Sequence, residues 1–247
     1  MRIAVIADIH GNGVALDAVL ADLAARPADR LVCLGDAVQG GAQPAEVVAR
    51  LRDLGCPVVL GNADAWLLTG QATGAETPSE EQHAVRAWSL AQLSEADRAF
   101  IAGFAPTVEL PLPAGRRLLC FHGSPASFDD ILLPGTPEDE FRRLLGAHAA
   151  AMLTGGHTHL PQLRRLGDAL FLNPGSVGLA YDHQQPGPPF RADPWAEYAI
   201  LSAEDGRLGV EFRRVPFDVA ALIRVTRASG MPGAAAIVER YRPAERA

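Results

Sequence analysis

Cysteine is scarce in this chain, three residues in 247, and two of them, Cys33 and Cys120, lie inside the apolar runs Leu-Val-Cys-Leu and Leu-Leu-Cys-Phe. An odd number so placed excludes a disulfide framework, argues against thiolate ligands and predicts reduced core residues. Long apolar runs are missing as well. The opening Met-Arg-Ile-Ala-Val-Ile-Ala stops at Asp8, too early for a signal-peptide core, and no stretch approaches the ~20 apolar residues of a membrane span. The expected compartment is a reducing cytoplasm. There is no surplus of basic charge either, since 22 Lys and Arg against 29 Asp and Glu leave −7 with histidine neutral. That speaks against an extended nucleic-acid-binding surface, while leaving room for a local positive site.

What is abundant is apolar side chain, 48% of the residues, which excludes global disorder. A chain of this length buries roughly three quarters of its unfolded surface, so it needs no structural metal, and any metal it holds serves chemistry. With no internal repeat and no low-complexity tract, residues 1–247 read as a single domain.

Ile3 to Ala7 is a β-rich run, and from Gly13 the apolar spacing turns helical through Leu16, Val19, Leu20 and Leu23. The unit repeats: a strand at Leu31–Leu34, a helix at Pro44–Leu54, a strand at Val58–Leu60. Alternating strands and helices imply a parallel sheet with its site beyond the carboxyl ends of the strands. Residues from about 63 to 105 carry helical patterning, broken between Gly70 and Pro78, and read as a helical cap. Short strands follow at Thr107–Leu110, Arg117–Phe121, Ala151–Thr154, Gln162–Leu166, Ala169–Leu172, Glu197–Leu201 and Leu208–Arg214, which suggest a second, mixed or antiparallel sheet packed on the first. Residues 183 to 194 are rich in Pro and Gly and read as a surface loop, and helices at Asp218–Ala228 and Ala234–Arg240 follow.

Five strand ends carry metal-ligand chemistry: Asp8-Ile9-His10, Gly35-Asp36, Gly61-Asn62, Phe121-His122-Gly123 and Gly156-His157-Thr158-His159. Any one alone reads as a turn or a helix cap. Five, each behind an apolar run that aims it at one rim, read as a metal site. Carboxylate oxygen and imidazole nitrogen together suit hard-to-borderline divalent cations, and two ions ~3.5–4 Å apart need a bridging ligand, for which Asp36 is the central candidate. A turn at Gly155-Gly156 would let His157 and His159 reach different ions.

In order and type these residues resemble the calcineurin-like metallophosphoesterase family, from Ile3 to about Gly178. The pattern Asp-x-His, Gly-Asp, Gly-Asn-x-(Asp/Glu), Gly-His, Gly-His-x-His is specific. The bacterial and archaeal phosphodiesterase-type subgroup is resembled most, through Asp-Ile-His-Gly-Asn at 8–12, Asn-Pro-Gly-Ser-Val-Gly at 173–178 and the later Val-Pro-Phe-Asp-Val-Ala. The resemblance implies an α/β fold, a four-layer αββα sandwich of two mixed sheets, around a dinuclear centre. It places Asp8, His10, Asp36 and His159 on one ion and Asp36, Asn62, His122 and His157 on the other. Manganese is the first expectation, with iron, zinc or nickel as alternatives.

Two departures stand out. Many relatives carry His where this chain has Ala63, followed by Asp64, and a basic residue where it has Leu-Ala-Tyr-Asp-His at 179–183. Catalysis is therefore expected from His10, Asp36, Asn62 and Asp64, with Asn12 and Asn62 toward the phosphate and Asp64 or His183 as stand-in proton donors. Two divalent ions, Asp8, Asp36 and a bridging hydroxide would leave the cleft at about +1 on an acidic protein, which attracts a phosphate. The expected activity is metal-dependent hydrolysis of a phosphodiester or phosphomonoester by that hydroxide, on a small phosphate ester or a nucleotide, away from any membrane. The alternatives are a protein or nucleotide phosphatase, dinucleoside polyphosphates included, and a non-catalytic metal-binding scaffold such as the retromer subunit of this fold; oligomeric state is left open. His83 and His148 read as helix residues, His183 as a loop residue, and Trp66, Trp88 and Phe104 as cap packing first and a base-stacking surface second.

Overall fold

A computed structural model describes residues 1–72, 74, 77–186, 190–204 and 206–241. In chain order the elements are β1 (Arg2–Ile6), α1 (Gly13–Ala25), β2 (Arg30–Cys33), α2 (Pro44–Leu54), α3 (Asn62–Thr69), α4 (Glu80–Gln92) and α5 (Glu95–Ala102). Then come β3 (Val108–Pro111), β4 (Arg117–Cys120), α6 (Glu138–Leu145), β5 (Met152–Thr154), β6 (Gln162–Leu166), β7 (Ala169–Asn173), β8 (Trp195–Glu204), β9 (Arg207–Pro216), α7 (Val219–Ala228) and α8 (Ala234–Arg240). Local chemistry sets several boundaries: Asn12 caps α1 through its side-chain oxygen, and Ser79 and Ser94 open α4 and α5 with reciprocal bonds to Gln82 and Asp97.

The strands form two mixed sheets, ordered β2-β1-β8-β9 and β3-β4-β5-β7-β6. Period-two alternation sorts their side chains into three cores. Ile3 and Val5 of β1 and Ala199 and Leu201 of β8 meet Leu118 and Cys120 of β4, Met152 of β5 and Leu172 of β7 between the sheets. The opposite face of the first sheet, with Ile6, Cys33, Tyr198 and Ile200, packs on Leu16 and Val19 of α1 and Val47, Val48 and Leu51 of α2. The outer face of the second sheet, with Leu119, Phe121, Leu153 and Phe171, packs on Phe141 and Leu145 of α6. Three apolar interfaces between helix, sheet, sheet and helix make the four-layer αββα sandwich.

The structure corrects several sequence-based expectations. Residues 197–201 and 208–214 do not join the second sheet, because β8 pairs antiparallel with β1 and brings β9 with it into the first. Tyr198, Ala199, Ile200 and Leu201 are all buried, so β8 is covered on both faces and must be an interior strand. Val58–Leu60 is not a full strand and pairs through isolated bridges of Val58 to Cys33 and Val59 to Ala105. His148 is not helical, since α6 ends at Leu145 and the following Gly146 takes a positive φ, +69°, that only glycine adopts readily. Within the helical stretch from 63 to 105, Leu93 and Ile101 belong to the core beneath the first sheet. The expected Gly70–Pro78 break and 183–194 loop fall partly outside the described residues, at 73, 75–76 and 187–189.

Leu201, fully buried between the sheets, and Leu163, 48% exposed on β6, make a matched pair. Leu201→Ala should lower unfolding free energy by about 2–5 kcal/mol, and Leu163→Ala by less than about 0.5 kcal/mol. Urea titrations of both variants measure the difference.

Candidate metal centre

Residues just beyond β1, β2, β4 and β5 converge on one rim. The loops are stitched by main-chain bonds from Asp8 N to Gly35 O (3.0 Å), His10 N to Asp36 O (2.9 Å) and Gly156 N to His122 O (2.9 Å). Six non-glycine residues among those described have positive φ, and five are Asp8, His10, Asp36, His157 and His159, between +48° and +67°. A left-handed residue at a strand end swings its side chain off the strand axis and into the rim, at an energetic cost that bulky residues seldom meet. Glycine keeps the space open: a Cβ on Gly61 would stand 2.1 Å from Asp36 Oδ1, and one on Gly178 would stand 1.8 Å from Ile9 O.

Two groups of ligand atoms result, Asp8 with His10 and His159, and Asp36 with His122 and His157, each within 4.8 Å of one another. The groups touch through Asp36, whose Oδ2 lies 3.4 Å from His122 Nε2 and 3.9 Å from His10 Nε2. Its other oxygen is fixed by the Ala63 amide at 2.8 Å. Asp8 is divided likewise: Oδ2 accepts from His157 N at 3.1 Å, while Oδ1 is buried without a hydrogen-bond partner. Asn62 Oδ1 lies 2.9 Å from His122 Nε2 and joins the second group.

The imidazoles are set for coordination. Nδ1 of His10, His122 and His159 sits 3.0, 2.7 and 2.9 Å from the carbonyls of Gln39, Leu34 and Leu179. A carbonyl only accepts, so Nδ1 carries the hydrogen and Nε2 presents a lone pair in the neutral ring. His10 and His159 then face each other Nε2 to Nε2 at 3.0 Å, an arrangement that wants a cation between or beside them. Asp8 Oδ1, buried 3.4 Å from His159 Nε2, asks for the same. The donor set fits divalent metal ions.

Protons fill part of that role in the metal-free protein. Burial alone would raise Asp36 and Asp8, but the imidazoles outweigh it: His122 beside Asp36 and His159 beside Asp8 hold both carboxyls below their ordinary range. Burial would depress His122, yet the Asp36 charge and hydrogen bond push it up to about 10, and Asp8 raises His159 in the same way. His10 and His157 lack so close a partner, and burial and neighbouring imidazoles lower them.

Two expected site residues spend their polar atoms on the backbone. Asn12, expected at the phosphate, is committed to the fold: Oδ1 accepts from Ala15 N at 3.0 Å and Nδ2 donates to Gly178 O at 3.0 Å. Asp64, expected as a proton donor, is fully buried and accepts the Ala37 and Val38 amides at 3.0–3.1 Å. Burial and the Asp36 charge raise it to about 7, but it props the Asp36 loop instead of meeting solvent. His183 is more than a plain loop residue, because it stacks on Tyr181 (4.2 Å between centroids) and Tyr181 meets His159 edge-on at 5.9 Å. Tyr181 had no role in the sequence reading; its only signal was its place in the loop after Asn-Pro-Gly-Ser-Val-Gly.

Residues 1–203 match the profile of the calcineurin-like phosphoesterase superfamily domain. An uncharacterized protein of Methanocaldococcus jannaschii is 28% identical over 225 residues, 88% of each chain. The crystal structure of a metallophosphoesterase from Sphaerobacter thermophilus is 26% identical, with a TM-score of 0.73 over 96% of this chain and 98% of that one. A hypothetical protein from Pyrococcus horikoshii OT3 shares the fold with a TM-score of 0.80 at 20% identity, over 99% of both chains. Among the described residues no helix is long and apolar enough to cross a membrane.

The raised His122 gives a pH test. At pH 6–8 its ring is protonated in the metal-free protein, so a metal must displace that proton and affinity must climb with pH. Apparent Mn²⁺ affinity should rise at least about tenfold per pH unit over this range. Calorimetric titrations in buffers of different ionisation enthalpy should show proton release; a pH-independent affinity would remove the protonated His122.

Proposed function

The chain belongs to the calcineurin-like phosphoesterase superfamily, and we propose that it hydrolyses phosphodiesters in preference to monoesters, using two divalent ions, manganese in the first instance. In this reading Asp8, His10, Asp36 and His159 hold one ion, and Asp36, Asn62, His122 and His157 the other. The observation that carries it is the position of Asp36 Oδ2 between an imidazole of each group, at 3.9 and 3.4 Å. When bound, such ions would lower the pKa of a coordinated water and offset charge on the phosphoryl oxygens.

The protein's own part is positioning. Carbonyls of Leu34, Gln39 and Leu179 fix the rings of His122, His10 and His159, and the Ala63 amide fixes Asp36, so the ligands need little rearrangement to receive metal. The substrate is a small phosphate ester or a nucleotide, drawn by the positive charge left once Asp8 and Asp36 have offset part of the metal charge. Three cysteines without a disulfide suit a reducing cytoplasm.

The preference for diesters follows from Ala63. Its methyl side chain cannot protonate a leaving group or donate to a dianionic phosphate, and Asp64 is turned toward the Ala37 and Val38 amides. Leaving groups must therefore depart with little help from a protein acid, and His183, stacked on Tyr181, is a candidate stand-in donor. A non-catalytic metal-binding scaffold could hold the same ions, so hydrolysis itself separates the two readings.

The test is a series of aryl methyl phosphate diesters assayed with the metal-loaded protein. Rates should fall steeply as the phenol becomes a poorer leaving group. Ala63→His should speed poor leaving groups by up to ~10²-fold and good ones little, the usual range for a positioned acid. With chemistry rate-limiting, a flat dependence on phenol pKa would contradict the unassisted departure.

A further inference from the structure

A cavity of about 310 Å³ opens beside the metal centre, with His10 in its wall. One side comes from α3 and α4, through Trp66 and Val85, and the other from α7 and α8, through Leu222 and Ile237. The metal chemistry uses none of these four residues. The volume falls at the lower end of the range for small-molecule sites, ~300–1,000 Å³.

Three of its polar side chains carry an unsatisfied atom. Gln39 is 5% exposed and its Oε1 has no partner; Thr226 is fully buried and its Oγ1 has none; the Trp66 Nε1 is buried and has none. All three residues line the cavity. Each buried orphan carries an uncompensated desolvation penalty, which a ligand supplying the missing partner would relieve. One acceptor, one indole donor and one hydroxyl call for a ligand with both donor and acceptor atoms. The formal charges of Glu81 and Arg240 in the same wall offset each other, so the part of the ligand that enters is uncharged. The aromatic wall is braced, with the Arg86 guanidinium 5.9 Å from the Trp66 ring, Arg86 Nε donating to the Trp66 carbonyl at 2.8 Å and His83 edge-on at 5.7 Å. A flat ring can lie against it with little loss of side-chain freedom.

We propose that this cavity receives the nucleoside part of a nucleotide ester, an uncharged heterocycle bearing donor and acceptor atoms, while the phosphate sits at the metal centre next to His10. This rests on the phosphoesterase reading and narrows its substrate class.

Two measurements separate the pocket from that reading. Adenosine and uridine, which carry no phosphate, should show saturation-transfer contacts with the metal-loaded protein, weakened in Ala236→Trp, which places an indole on the α8 wall. In kinetics, thymidine 5′-(p-nitrophenyl) phosphate should have a KM at least about tenfold below that of methyl p-nitrophenyl phosphate. The ratio should fall toward one in Ala236→Trp and partway in Trp66→Phe, which keeps a ring and removes the donor. General damage to the fold would lower both substrates together and leave the ratio standing. Equal KM values in the parent protein, with both esters hydrolysed, would overturn the pocket while the phosphoesterase reading survives. Nucleoside contacts without hydrolysis of either ester would support the pocket's ligand and sink the reading beneath it. Absence of both contacts and preference overturns the proposal.

Discussion

The whole arrangement turns on one backbone constraint. At the ends of β1, β2 and β5, five candidate ligand residues adopt left-handed φ values that non-glycine residues rarely tolerate. Without that turn, Asp8, His10, Asp36, His157 and His159 would continue the alternation of their strands and point above and below the sheets. With it, they point across the rim. Strain of this kind, about 1–3 kcal/mol per residue, persists only where the surroundings over-determine it. Here the surroundings are the bonds from Asp8 N to Gly35 O and His10 N to Asp36 O, together with the Asp64 carboxylate on the Ala37 and Val38 amides.

The four-layer architecture supplies the rest. β1 and β2 deliver Asp8, His10 and Asp36, and β4 and β5 deliver His122, His157 and His159, from different sheets whose facing sides share one apolar core, while Asn62 opens α3. The sheets' packing thereby sets the separation between Asp36 and His122, and between Asp8 and His159, to the 3.4 Å observed. A residue far from the rim acts on the site only through this spacing. Cβ-free positions such as Gly61 let the loops close on one another around Asp36.

Much of this was legible in the sequence. Ligand motifs behind apolar runs named Asp8, His10, Asp36, Asn62, His122, His157 and His159, and the structure gathers all seven. Pro44–Leu54 and Ala234–Arg240 were read with the ends they have, because Pro and the spacing of apolar residues mark them. What failed needed the third dimension. β8 was assigned to the wrong sheet because pairing with β1 links residues about 200 positions apart, and no local signal carries that. The backbone bonds of Asn12 and Asp64 were also hidden, because a polar side chain near a motif looks the same whether it meets substrate or a backbone amide. The carbonyls that orient the histidines carry no sequence signature, and the cavity joins helices from two distant parts of the chain.

The central claim is that Asp36 joins two ligand groups into one dinuclear site. Anomalous-difference crystallography of the Mn²⁺-saturated protein tests it most directly. The account predicts two peaks per chain, roughly 3.5–4 Å apart, one beside His10 and His159 and one beside His122 and His157, with an Asp36 oxygen between them. A single peak, or two peaks of which only one contacts Asp36, would contradict it.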